Sequence, residues 1–212
     1  MQTPDFRDIL EPGFKRYYPA FGGNANRKID ACIEEDGTIK PITATWWYDC
    51  TENGNTIEPG ERTTFNARNL DSSYWKGAVK HRRAIVFATG LGESKRVGKT
   101  KHQYYFDSEE VFALGALYRT FENGCYSLAI ITRDSHPKME PYHDKAFPCF
   151  LPNDEEFLKL WLSQDVEQHP RLDYVLNNPT LYPTLHVTRV KTFKDKVPMP
   201  SFTPTTLQSD VA

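Results

Sequence analysis

The chemistry this chain can offer is concentrated in a basic stretch near its centre. Between Lys76 and His102 stand Lys76, Lys80, Arg82, Arg83, Lys95, Arg96, Lys99 and Lys101 against a single acid, Glu93, with Tyr74, Trp75, Tyr104, Tyr105 and Phe106 interleaved or alongside. Cations draw in phosphates and flat aromatic faces stack on unpaired bases, so the mixture fits a groove for single-stranded nucleic acid. The competing reading is a solvated charge run between two strands.

Other chemistries are excluded by spacing. A phosphate-binding loop needs four residues between its first glycine and a Gly-Lys-Ser/Thr ending, because its amides must wrap one phosphate. In Gly90-Leu91-Gly92-Glu93-Ser94-Lys95-Arg96-Val97-Gly98-Lys99-Thr100, Gly92 and Gly98 enclose five. Lys95 occupies the place of the third glycine of a dinucleotide-binding turn. The six histidines show neither HExxH spacing nor cysteine partners at zinc intervals, so no metal or cofactor is expected. Cys32, Cys50, Cys125 and Cys149 are irregularly spaced and read as reduced thiols.

These residues are set in a chain of 212 residues with formal net charge -2, 39% hydrophobic and 13% aromatic, which suits one packed domain and excludes global disorder. Apolar runs such as 84–88 and 128–131 fall far short of the roughly 20 residues of a membrane span. Met1-Gln2-Thr3-Pro4-Asp5 lacks the pattern of a secretory signal. A soluble, cytoplasmic protein acting at the nucleoid, without a membrane partner and monomeric, is expected.

The elements that must position the chemistry read as short strands with few helices. Asp5 can start one helical turn; 28–33 and 38–48 form strands about the turn Glu35-Asp36-Gly37; 51–62 reads as a polar loop. Strands follow at 63–68, 84–89, 104–106, 111–118, 127–132 and 185–193, with a helical segment around 74–80. Asn153 or Asp154 can cap a helix to Leu162 whose Phe157, Leu158, Trp161 and Leu162 share a face. The order predicts an α+β fold with a curled, mostly antiparallel, barrel-like sheet and flanking helices. One domain is expected over 1–195, followed by a poorly ordered tail, 196–212, containing Pro198, Pro200 and Pro204.

Three segments, taken in order, carry a further signal. They are Asn66-Ala67-Arg68, Ala88-Thr89-Gly90-Leu91-Gly92-Glu93 and His143-Asp144-Lys145-Ala146-Phe147-Pro148. Around them lie Arg16-Tyr17-Tyr18-Pro19-Ala20, Thr45-Trp46-Trp47, 112–118 and 185–190. The succession resembles the SRAP family of SOS-response-associated peptidases and abasic-site processing proteins over about residues 14–195.

The resemblance implies binding of single-stranded DNA, or its junction with duplex, at an abasic site. By position, Glu93 would be the proton-shuttling carboxylate and His143 its partner in opening the sugar ring, with Asn66 hydrogen-bonding near the sugar. Arg68 and Lys145 would hold phosphates, and Trp47, or else Trp46, would stack at the base step; Arg82, Arg83, Lys95 and Arg96 add positive charge. Ring opening and imine formation both move protons at one centre, which suits a carboxyl and an imidazole brought toward neutrality. The blander readings are a turn acid for Glu93, a carbonyl-bonded core histidine for His143, surface solubility for Arg68 and Lys145, and core packing for the two tryptophans.

Departures from the family pattern set the expected chemistry. Where the family has its N-terminal cysteine, whose amine and thiol together close a thiazolidine on the sugar aldehyde, this chain has Gln2. An amine alone forms an imine but no thiazolidine ring, so lyase-like imine chemistry is expected in place of a durable crosslink. Ser94 stands where tryptophan follows the glutamate, and Lys145 replaces arginine, keeping charge without the bidentate fork. The alternative is a DNA-binding or interaction module on the same fold without covalent chemistry.

Overall fold

The computed structural model describes residues 27–211; the expected turn after Asp5 and the 16–20 motif lie outside the described residues. In chain order the elements are β1 (Lys28–Glu35), β2 (Thr38–Trp46), β3 (Cys50–Asn53), β4 (Thr56–Pro59), β5 (Asn66–Ala67), α1 (Lys76–His81), β6 (Arg83–Val97) and β7 (Thr100–Thr120). After these come β8 (Tyr126–Arg133), β9 (Phe147–Pro148), β10 (Phe150–Leu151), α2 (Glu155–Leu162), α3 (Pro170–Asn177), β11 (Leu185–Val190) and β12 (Thr205–Leu207).

The expected α+β curled sheet is what forms. β1 and β2 pair antiparallel from Lys28↔Thr45 to Glu35↔Thr38, turning at Asp36 and Gly37, whose φ values of 52° and 70° give the primed turn that matches strand twist. β6 and β7 pair antiparallel from Arg83↔Leu117 to Val97↔Thr100, with a register shift between Ala88 and Gly90. β8 lies antiparallel on β7 and parallel to β2 and β5. The pairings therefore pass from β7 through β6, β1, β2 and β8 back to β7. Because β1 meets β6 only at Cys32↔Ile85 and β2 meets β8 only at Thr45↔Ser127 and Trp46↔Leu128, the sheet is ring-like rather than a closed barrel.

Strand alternation gives the ring two cores. Ile33, Val86, Phe106, Leu128 and Phe150 belong to one; Ile85, Leu117, Ile131, Phe157 and Trp161 belong to the other, beneath the helices. α2 forms where predicted: the Asp154 carboxylate accepts from Glu156 N–H, and Phe157, Leu158, Trp161 and Leu162 are its buried face. No helix among the described residues is long and apolar enough to cross a membrane.

Several expectations are corrected. The segment Gly90-Leu91-Gly92-Glu93 is not a turn but the middle of β6, and the glycines are there for close approach. A Cβ on Gly90 would lie 2.3 Å from Tyr105 Oη, and one on Gly92 would lie 2.8 Å from the Phe193 ring. The stretch 51–62 holds the β3–β4 hairpin, and α3, capped by His169 with Pro170 in its first turn, had not been anticipated. The tail expected to lack order is built into the fold: β12 pairs with β11, Leu207 is buried, and Phe202 packs on Tyr104. Prolines here punctuate a docked segment, since Leu207 and Phe202 supply the apolar contacts that hold it.

Arg83, expected to meet nucleic acid, is 2% exposed and serves the fold. Its Nε donates to Trp161 O at 2.6 Å, Nη1 to Val79 O and Lys80 O at 2.6 Å each, and Nη2 to Val166 O at 2.7 Å and to Ser163 O. All five N–H donors are used, on carbonyls at the C-terminal ends of α1 and α2, where a cation also complements the helix dipoles. Burial pulls the guanidinium down to about 10, which still leaves it charged at neutral pH. Replacing Arg83 by Met strands these carbonyls, and we expect a loss of about 3 kcal/mol or more in urea unfolding. Arg82→Met should cost less than ~1 kcal/mol; equal effects of the two substitutions would contradict this assignment.

Candidate active site

Beyond the Ala88/Gly90 shift, β6 carries its apolar and acidic side chains on one face. Leu91 packs against the inner core, and Glu93, two residues on, shares that side and stands directly opposite Tyr104 on β7. Tyr104 is buried, with Tyr142 at 5.2 Å and Phe202 at 5.7 Å between ring centroids. Three rings thus form a dry floor on the side of the Glu93 carboxyl.

The connection from β8 to β9, residues 134–146, crosses this floor and delivers His143. Its Nδ1 lies 3.0 Å from Ser94 O and 3.3 Å from Glu93 Oε2. A carbonyl oxygen cannot donate, so Nδ1 carries the hydrogen and Nε2 is left as the nitrogen able to take up or release a proton. Burial pushes the Glu93 carboxyl above its ordinary value; the His143 charge and a Ser94 backbone hydrogen bond pull the other way and do not overcome it. The pair places an acid whose neutral form is favoured by burial against an oriented imidazole, an arrangement able to pass protons.

Asn66 joins by its strand rather than by direct contact. It is half-buried on β5 opposite Ile130, and Arg68, two residues further on, donates from Nη2 to Lys145 O at 2.7 Å. Lys145 in turn lies two residues past His143, so the Asn-Ala-Arg and His-Asp-Lys segments are tied together. Arg68 and Lys145 are both exposed. Lys95 fastens the same connection, donating to Glu140 O at 2.5 Å with Asp144 Oδ2 at 3.8 Å. Arg96 is exposed near the β6–β7 turn, beside Lys99 and Lys101.

Trp46 and Trp47 both meet Phe65, the residue before Asn66. Trp46 Nε1 donates to Phe65 O at 2.7 Å, while the Trp47 ring lies 6.0 Å from Phe65 and carries the Arg27 guanidinium 4.5 Å above it. They support β5 from one side. Arg82 and Arg83 do not belong to this neighbourhood: Arg82 follows α1 and Arg83 begins β6, roughly 30 Å along the strand from Glu93 at ~3.3 Å per residue. Tyr104, Tyr142 and Ser94 O were missed in the sequence. Locating the turn at Gly98, with φ of 59°, would have placed Tyr104 opposite Glu93 by counting back.

The ring-like sheet and the sequence that folds into it belong to a known class. A family profile for SOS response associated peptidases (SRAP) matches residues 24–196, and the chain belongs to that family. An abasic site processing protein of Saccharomyces cerevisiae is 32% identical over 108 residues, which are 48% of this chain and 29% of that protein. A crystal structure of a Bacteroides thetaiotaomicron protein shares the fold, with TM-score 0.58 and 18% identity over 82% of this chain and 79% of its own. So does that of a phage-related protein from Bordetella bronchiseptica, with TM-score 0.58 and 16% identity over 92% and 95%. Membership rests on the profile; the chain spans under a third of the length of the yeast relative it matches.

The Glu93 environment makes a prediction about stability. A carboxyl raised by folding keeps its proton where the unfolded chain has released it, so its contribution is fully present below the unfolded value and is lost as pH rises through the folded one. Glu93→Gln cannot ionise and escapes that loss. Thermal melts at pH 4 and pH 8 should show the variant gaining on the parent by about 2–4 °C at the higher pH. A constant difference at both values would mean that the carboxylate is not held out of water.

Proposed function

We propose that this chain binds single-stranded DNA, or its junction with duplex, at an abasic site and acts on the sugar there, with Glu93 and His143 moving the protons. The observation that carries this reading is the Glu93–His143 contact at 3.3 Å over the Tyr104 and Tyr142 rings. Opening the abasic sugar requires a proton to leave the C1′ hydroxyl and another to reach the ring oxygen. A protonated Glu93 supplies the acid, and His143 Nε2 supplies the base. An attacking primary amine then adds to the aldehyde, and the carbinolamine expels water to give the imine, again with one proton accepted and one donated.

The surroundings suit the substrate. Arg68, Lys145 and Arg96 are exposed cations for backbone phosphates. Asn66 lies on the same strand and reaches toward the sugar in this scheme. The corresponding place of action is the nucleoid in the cytoplasm.

The test is incubation with a single-stranded oligonucleotide carrying one abasic site, borohydride reduction and a denaturing gel. A trapped adduct is expected, with Glu93→Gln slowing strand cleavage by about a hundredfold or more while affinity stays within about twofold. Arg68→Ala and Lys145→Ala should weaken binding and lower the salt slope by about 1 each. Salt-sensitive binding without adduct or cleavage would leave a DNA-binding module; no binding at low salt would overturn the proposal altogether.

A further inference from the structure

The 134–146 connection that carries His143 is suspended between two anchorages. One is the active-site side already described, where Ser94, Lys95 and Arg68 hold His143, Glu140 and Lys145. The other is the C-terminal segment. The Asp210 carboxylate accepts from Lys138 Nζ at 2.6 Å, from His136 Nε2 at 3.0 Å and from the Leu181 N–H at 2.6 Å. Asp210 N–H donates to Leu181 O at 2.8 Å, and Lys138 Nζ also reaches Gln208 O at 2.7 Å and Ser209 O at 3.2 Å.

The anchor is specific in its hydrogen positions. His136 Nδ1 accepts from Lys138 N–H at 3.3 Å, so the neutral ring carries its hydrogen on Nε2, where it is given to Asp210. The same ring stacks on Phe147 at 4.8 Å and 25°. Asp210 is held below the usual carboxylate range: burial opposes ionisation, but Lys138, the Leu181 N–H and His136 outweigh it.

From this anchor a continuous backbone path runs to the site. His136 O accepts from Met139 N at 2.8 Å and Glu140 N at 3.0 Å; Met139 O then accepts from Tyr142 N at 2.9 Å and His143 N at 2.8 Å. Met139, the hinge between these two turns, is fully buried and so cannot shift without opening the core. Two consecutive turns therefore transmit the position of His136 to His143.

We infer that Asp210 is a positioning residue for His143: by clamping His136 and Lys138 it sets the connection whose two turns aim the imidazole at Glu93. This rests on the reading of Glu93 and His143 as the working pair. The tail contributes a second support, since Phe202 packs on Tyr104 and Tyr142, and among the described tail residues Asp210 is the one that grips the connection by charge.

The test compares Asp210→Ala and Asp210→Asn with the parent, following the His143 ring by NMR across pH in the DNA-free protein, and timing borohydride-trapped adduct under single-turnover conditions. Asp210→Ala should move the His143 resonances and titration midpoint and slow trapping by about tenfold with DNA affinity within about twofold; Asp210→Asn, which keeps an acceptor, should recover part of both. If His143 resonances and the trapping rate are unchanged well below a lowered Tm, the tail merely stabilises the fold and the inference is overturned. Should Asp210→Ala fail to fold, Lys138→Met removes one arm of the clamp and is judged by the same two readouts. If the parent itself forms no adduct, the proposed reaction fails, and the His143 titration still decides the positioning role.

Discussion

A single two-stranded ribbon has to satisfy opposite demands along its length. Strands β6 and β7, of 15 and 21 residues, share one end inside the ring, where β6 begins, β7 finishes and nearly every side chain is apolar. Their other end, where β6 finishes and β7 begins, is an exposed, basic turn. The register shift at Ala88/Gly90 marks the passage between the two regimes: residue 89 of β6 faces 108–111 of β7, and such extra residues on one strand bend the ribbon and increase its local twist. Past the shift the pattern alternates, and alternation is what lets Glu93 keep to the inner side while Arg96 and Lys99 remain in water. A straight ribbon would either bury the cations or expose the acid.

Arg83, buried, and Glu93, half-buried, both lie on β6, and their treatment differs in kind. Arg83 receives five carbonyl acceptors, so its charge is compensated in full and its role is to join α1, α2 and the start of β6. Glu93 receives the His143 contact and a Ser94 backbone bond, which together fall short of the cost of desolvation. A fully satisfied charge has no reason to exchange its proton. An under-compensated one facing an imidazole has every reason to, and that difference separates structural from chemical use within one strand.

What the sequence disclosed and what it concealed follow the same division. The order of the Asn66, Glu93 and His143 segments was legible, as were the β1–β2 turn, the α2 cap and the α+β class, because each rests on local residue types. Long-range packing was not. Gly90 and Gly92 read as a turn since glycine usually breaks strands, whereas here Tyr105 and Phe193 occupy the space that side chains would need. Arg83 and Lys95 read as one basic patch because an extended strand separates near neighbours in sequence by tens of ångströms. Pro198, Pro200 and Pro204 read as disorder, yet the intervening Phe202 and the later Leu207 find apolar partners that composition alone could not name.

The placement of charge also lets a chain of net charge -2 carry a local cationic surface, which the proposed DNA binding requires. Of the cations nearest the site, Lys95 spends its ammonium on the 134–146 connection, fixing its shape, while Arg68 gives one Nη2 bond to Lys145 O and stays exposed. Arg96, Lys99, Lys101 and Lys145 are left on the outside. Grip and geometry are thereby assigned to different residues. Exposed cations release counterions on contact with phosphate and give an attraction that salt weakens readily. The half-buried acid, the oriented imidazole and the bonded turns behind it owe their arrangement to short-range contacts that salt scarcely touches. On the proposed function, attraction of a polyanion would therefore weaken with salt while the Glu93–His143 geometry, built from short-range contacts, would not.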